Sequence, residues 1–407
     1  MIVAAVTLSC LPTPALATPS KDTAAKTTPT REAKPRLELF ASPQLIDVLL
    51  PVTQQRYTTL PAIDALFARL QKDGDAYCER RWRLRKALPR PFIADKHRRK
   101  MIRGGRRSLP AMIAGCWNFF TMNDLRPDRG MKLVAKLFPK SQFDCMSVGL
   151  MQGYLMDQHL KCQRLSMLDI DWRILEAHRQ LLGLFAKGAL DGAPPPPRKR
   201  PHKLGAKPAP VQGKQLVDQL RALKLSWVQY NPPGKVKLPI PRRGVPGSLK
   251  LICSRRESRR CAAAIEAFQR RYTPARLVTL QLAGLHQLRY VTPEHDRVAV
   301  IFLSNAMDPQ YHSWRDSKEL RRRMREQMKP GQRAVIVHHV GGGYTFGLYQ
   351  LKRSAKRLHI TTLCKDPFER ANRRQWIPYE IYLDKLSRNR NRKIPSCKKL
   401  LRRHRIP

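Results

Sequence analysis

The residues best placed to do chemistry stand between Phe143 and Leu181. In FDCMSVGLMQGYLMDQHLKCQRLSMLDIDWRILEAHRQL, the stretch Ser147-Val148-Gly149-Leu150-Met151-Gln152-Gly153 follows a short apolar run and leads into an amphipathic one. A glycine turn between a strand and a helix lets backbone come close to a ligand and aims free helix N–H groups at a negative group. Sixteen residues after Gly153 comes Asp169, at the end of a second apolar run. A carboxylate there can accept hydrogen bonds from both hydroxyls of a ribose. Turn and acid within one βαβ unit predict a nucleoside-type pocket.

A second block carries the same signal. HDRVAVIFLSNAMDP (His295 to Pro309) is an apolar run ending in the polar loop Ser304-Asn305-Ala306-Met307-Asp308-Pro309. It is followed by the Arg-rich SKELRRRMREQM, the turn KPGQ and the strand-like RAVIVHHV. Polar residues just beyond strand ends are where open α/β sheets bind ligands. Asn305 could orient an amine or hydroxyl and Asp308 could take a proton. Equally, Asn305 caps a loop and Asp308 makes a turn before Pro309. A third candidate is DKHRRKMIRGGRRS (Asp95 to Ser108), where Arg103, Arg106 and Arg107 flank a glycine hinge beside the apolar, aromatic LPAMIAGCWNFF. That pairing suits phosphate contact with base stacking, or a solvated loop next to a core helix.

These residues need elements to hold them. Residues 1–35 read as a short apolar segment and a disordered leader, and 36–140 as a mostly helical, basic subdomain. The βα alternation begins near Phe143 and fills 141–191. GAPPPPRKRPHKLGAKPAPVQG opens a Pro-rich basic insertion over 192–247, better suited to a spacer than to a packed element. The alternation resumes over 248–386, with Ala275–Leu288 as the third strand, Val298–Leu303 as the fourth and an extra strand and helix in Ser248–Arg271. Residues 387–407 form a basic tail expected to stay mobile until it meets an anion. The expected fold is α/β, with a Rossmann-like doubly wound sheet.

Composition narrows the partners. Across 407 residues, 79 Lys and Arg face 30 Asp and Glu, a formal charge of +49. Hydrophobic residues still make up 42%, enough for a core, so this is no disordered polycation. Such charge predicts a polyanionic partner, nucleic acid first and anionic membrane or lipopolysaccharide after. No run is apolar enough to span a bilayer. The nine cysteines form no CxxC pair and have no zinc spacing with histidine, so no metal set is expected. Several sit in apolar runs, which predicts mostly reduced core thiols. The start carries Ala15-Leu16-Ala17, a signal-peptidase-like site, without basic residues ahead of its apolar run. That leaves two localisations open, cytoplasmic, or periplasmic or secreted with cleavage after Ala17.

From Phe143 to His339, less the insertion, the sequence resembles the class I S-adenosylmethionine-dependent methyltransferases. Gly149 and Gly153 match the first and third glycines of the family's D/E-x-G-x-G-x-G motif. Ser147 stands at its leading acid and Met151 at its middle glycine. Asp169 stands at the ribose acid, and Ser304 to Pro309 at the motif after the fourth strand. MREQMKPGQRAVIV is similar to the family's turn into the fifth strand. The resemblance implies S-adenosyl-L-methionine as cofactor, bound by Ser147, Gly149, Met151, Gly153, Asp169 and Ser304. It implies an acceptor near Asn305 and Asp308. The net charge and the basic glycine hinge predict that the substrate is nucleic acid or another anion, gripped by Arg103, Arg106 and Arg107. The alternative is a non-catalytic polyanion-binding protein on a degenerate methyltransferase scaffold, possibly exported. Asn231-Pro232-Pro233-Gly234 reads as a turn, because it lacks the aromatic residue that an amine-binding N-P-P motif carries.

Overall fold

A computed structural model describes residues 36–42, 56–83, 113, 122, 124–186, 258–290, 297–304, 306–307, 312–339, 344–366, 383, 386–387 and 393–407. The calls on the leader, the Asp95–Ser108 loop with Arg103, Arg106 and Arg107, the insertion, the strand part of Ser248–Arg271, Asn305 and Asp308 lie outside these residues.

Among the described residues the frame is a nine-stranded sheet. In chain order the strands are β1 (Leu37–Ala41), β2 (Arg56–Tyr57), β3 (Gln142–Val148), β4 (Arg164–Asp169), β5 (Val278–Leu282), β6 (Arg297–Ser304), β7 (Arg333–His339), β8 (Phe346–Arg353) and β9 (Leu358–Lys365). Their spatial order is β2-β1-β5-β4-β3-β6-β7-β8-β9. From β1 to β7 every neighbouring pair is parallel, whereas β2, β8 and β9 join antiparallel. After laying β1 and β2 at one side, the chain enters the middle at β3, runs outward through β4 to β5, then crosses back to β6 and runs the other way through β7. The direction reverses between β3 and β6.

Seven helices lie among the described residues: α1 (Leu60–Arg83), α2 (Asp128–Leu137), α3 (Gln152–Leu160), α4 (Trp172–Ala186), α5 (Ser258–Arg271), α6 (Trp314–Gln327) and α7 (Cys397–Arg403). Apolar side chains from every helix but α6 pack with Cys145, Leu165, Val300 and Val335 on one sheet face. On the other face Leu320 and Met324 of α6 cover Met146, Ile301 and Ile336. With both faces covered, parallel strands read as near-continuous apolar runs such as VAVIFL. This also explains His338 and His339. The alternation of strand side chains sends them to opposite faces, and both are fully buried.

Three expectations are corrected. Leu37–Ala41 is not helical but pairs with β5 as a parallel strand, its alternating LELFA suiting a strand rather than a helix. The cysteines are not mainly reduced thiols. Cys145 is bonded to Cys162 and Cys364 to Cys397, with Cα atoms 5.7 and 4.9 Å apart, and Cys261 is also disulfide-bonded. Apolar surroundings suit a half-cystine as well as a thiol, so burial alone cannot tell them apart. The end of the basic tail is packed, not mobile. Cys397 and Leu401 are buried, Asp366 accepts from Ser396 Oγ at 2.7 Å and Lys398 N at 2.8 Å, and the Pro407 carbonyl accepts from Arg126 at 2.7 Å.

Candidate functional site

The glycine turn and the acid come together. Gly149 has φ +87°, in the left-handed region that glycine enters without a Cβ penalty. It turns the chain from β3 into α3. Asp169 ends the neighbouring parallel strand β4, and its carboxylate takes hydrogen bonds from the backbone of Asp171, Ile170 and Gly149. The Asp171 bond measures 2.9 Å. Burial pushes the Asp169 carboxyl up to about 7, against the pull of those amides.

The floor of this turn is built from the protein's own side chains. Gly153 lies so close to the sheet that a Cβ there would collide with Met167 Sδ and meet Ser147 Oγ at 2.8 Å. Ser147 is fully buried, and its hydroxyl donates to Met167 Sδ at 3.4 Å. Met151, immediately ahead of α3, is buried in the apolar core. Its N–H donates to Gln152 Oε1 at 3.1 Å, so a side chain takes up an amide that a helix N-terminus would otherwise present to an anion. Behind the turn, His178 is buried with Nε2 3.2 Å from the Gly149 carbonyl and Nδ1 2.9 Å from Tyr154 Oη. A carbonyl only accepts, so Nε2 carries the proton and Nδ1 accepts from the tyrosine hydroxyl. Burial holds this imidazole at about 4, despite the Gly149 carbonyl.

A second polar cluster fills the space where the strand order reverses. Asp124, in the segment leading to α2, is fully buried. Its Oδ2 accepts from Ser304 Oγ at 2.7 Å and Gln152 Nε2 at 3.3 Å, and Oδ1 lies 3.5 Å from His339 Nδ1. Burial raises its pKa, opposed by His339 and the two hydrogen bonds. Ser304 ends β6 with φ +49°, an uncommon conformation for a residue with a side chain. Serine, histidine and aspartate meet here, but the carboxylate sits in the middle. The hydroxyl donates to aspartate rather than to imidazole, so this wiring does not activate a nucleophile as a Ser-His-Asp triad does. It ties the α2 leader to β6, α3 and β7.

Sequence reasoning missed Asp171 and Arg173. The Asp171 carboxylate accepts from Arg173 N at 3.0 Å and pairs with its guanidinium at 2.9 and 2.7 Å. The signal was visible in DIDWR, an aspartate just ahead of a helix start. Asp124 and His178 had no such local signal.

A different feature faces solvent. A groove of about 480 Å³ runs between α6 and the turn joining β8 to β9, lined by Trp314, Leu358, Leu386 and six cations: Lys318, Arg321, Arg322, Arg325, Lys356 and Arg357. All six are exposed. Lys318 Nζ sits 5.5 Å from the Trp314 ring centre, a cation–π distance. Arg322 is partly neutralised by Glu319 and Glu326.

No protein-family model, curated protein or solved structure matches this chain. No helix among the described residues is long and apolar enough to cross a membrane.

Proposed function

We propose that this chain is a polyanion-binding protein, with nucleic acid as the partner, on a Rossmann-like scaffold that resembles the class I methyltransferases. The carrying observation is the α6 groove, where six exposed cations surround a tryptophan and two leucines. Cations at this density neutralise successive phosphates, and an aromatic ring offers a base a stacking surface. The chain's +49 charge extends the attraction beyond the groove. The disulfides support folding in an oxidising compartment, which favours the exported alternative over the cytoplasmic one. Anisotropy of a labelled single-stranded oligonucleotide across a salt series tests the reading. Affinity is expected to fall linearly on log axes, and Arg321→Glu with Arg325→Glu should flatten the slope by roughly 2. Binding that ignores salt, or that the double variant leaves intact, overturns it.

A second reading keeps the cofactor. The order β5-β4-β3-β6-β7 is the 3-2-1-4-5 arrangement of dinucleotide-binding sheets, which take ligands where the order reverses. Gly149 and Asp169 stand side by side at that edge. This supports S-adenosyl-L-methionine binding by Ser147, Gly149, Met151, Gly153, Asp169 and Ser304, with Asn305 and Asp308 at the acceptor. Against it stand the buried Ser147 and Met151 and the Asp169 carboxylate, already bonded to its own loop. Calorimetry with S-adenosyl-L-methionine decides. Heat that disappears in Asp169→Ala sustains the methyltransferase reading, and none at millimolar ligand with folded protein removes it.

A further inference from the structure

We propose that His286, His312 and Asp316 form a divalent transition-metal site, with zinc its natural occupant. The inference is independent of polyanion binding. His286 lies in a short 3-10 turn (Leu285–Gln287) just after β5, and His312 and Asp316 bracket the start of α6 after β6. One ligand atom from each residue falls within 4.8 Å of the other two. His286 Nδ1 and Asp316 Oδ1 are 4.0 Å apart. Zinc bonds of about 2.0–2.2 Å imply ligand atoms roughly 3.3 Å apart, so the three must draw together by up to about 1.5 Å. The geometry permits that. The side chain of His286 keeps 30% of its surface exposed and does most of the moving, while Asp316, 26% exposed, is held by Ser313 through Oδ2 and the buried His312 serves as the fixed point.

The chemistry of the set suits zinc. Two imidazoles and a carboxylate are borderline nitrogen and oxygen donors, a set zinc accepts. Burial disfavours the charged form of His312, and a ligating imidazole must be neutral. Asp316 has the outer-shell support that ligands usually carry. Its Oδ2 accepts from Ser313 N at 2.7 Å, and its own N–H donates to Ser313 Oγ at 3.1 Å. This leaves Oδ1 turned toward His286. Two effects oppose a cation, the positive end of the α6 dipole and Arg323, which acts on His286. Glu319 partly offsets the arginine. Three protein ligands with one side open to solvent is the arrangement of a zinc that keeps a position for water or substrate, not of a closed structural site.

The experiment uses the full oxidised chain, stripped with a chelator. Zinc is added in competition with a chromophoric chelator, and cobalt(II) uptake is followed by its visible absorption. One zinc per chain and a tetrahedral-type cobalt spectrum are expected. Asp316→Asn keeps an oxygen to accept from Ser313 N but removes the anionic ligand. It should weaken zinc by at least the roughly 10–100-fold typical of losing even a group behind a ligand, while the metal-free melt falls only by the small amount that losing an anion at a helix start costs. If His312→Ala fails to fold, the partly exposed His286→Ala supplies the second loss. No uptake by the folded wild type, or unchanged uptake in both Asp316→Asn and His286→Ala, overturns the site.

Discussion

At the scale of single residues, the glycine turn is held by groups that sequence spacing does not reveal. Tyr154, His178 and the Gly149 carbonyl form a buried relay. Tyr154→Phe keeps the ring packing but leaves the His178 Nδ1 lone pair without its donor. Unmet buried acceptors cost about 1–3 kcal/mol, so a loss of that size is expected in chemical denaturation. A loss below the error of the measurement would show that water reaches the site. Asp169 makes a pH-dependent prediction. Its folded pKa of about 7 exceeds the ordinary value of 3.8, so the folded state binds the proton more tightly than the unfolded chain. Stability attributable to this group is greatest below about pH 4, falls as pH rises, and is lost above about pH 7. Asp169→Asn retains an oxygen for Asp171 N–H and carries no charge. Its advantage over wild type should be negligible at pH 4 and reach about 2–4 kcal/mol at pH 8. Melts across that range check the sign. The pairing of Gly149 with Asp169 was legible because both lie in one βαβ unit. The Asp124–Ser304 bond joins residues 180 positions apart, and nothing local to either one announces it.

At the scale of elements, two glycines set how closely helices approach the sheet, for different reasons. A Cβ on Gly130 in α2 would meet Val337 Cγ1 at 2.8 Å. Val337 is branched at Cβ and fully buried in β7, so its methyl cannot swing away. Gly130→Ala is expected to cost about 1–3 kcal/mol, offset in part by better helix propensity. Gly153→Ala presses on the flexible end of Met167 instead, and should cost less despite its shorter contact. The midpoints of urea unfolding rank the two. The strands β3 to β7 and the helices α3 to α6 followed from apolar runs and helical spacing. The strand β1, second from the sheet edge, did not, because five residues among prolines and helix-like neighbours carry too little pattern to declare a partner. Its partner, β5, arrives some 240 residues later in the chain.

At the scale of the whole molecule, disulfides and charge set the working conditions. The 17-residue span closed by Cys145–Cys162 and the 33-residue span closed by Cys364–Cys397 each remove unfolded-state entropy worth about 3 kcal/mol. Cys364→Ser with Cys397→Ser is expected to lower stability by about that amount and to loosen α7 from the end of β9. Comparing melts with and without reductant checks the loss. Thiol titration of the denatured, unreduced chain should find Cys145, Cys162, Cys261, Cys364 and Cys397 blocked. The sequence by itself determined the cationic character, the α/β alternation and the glycine turn with its acid, because net charge, periodicity and short-range spacing are properties of neighbouring residues. Only the tertiary structure decided that cysteines pair, that Ser304 donates a hydrogen bond to Asp124, that two histidines and an aspartate converge, and that six cations line one groove. Each of these depends on which distant segments the sheet order brings together, and a linear pattern holds no record of that distance.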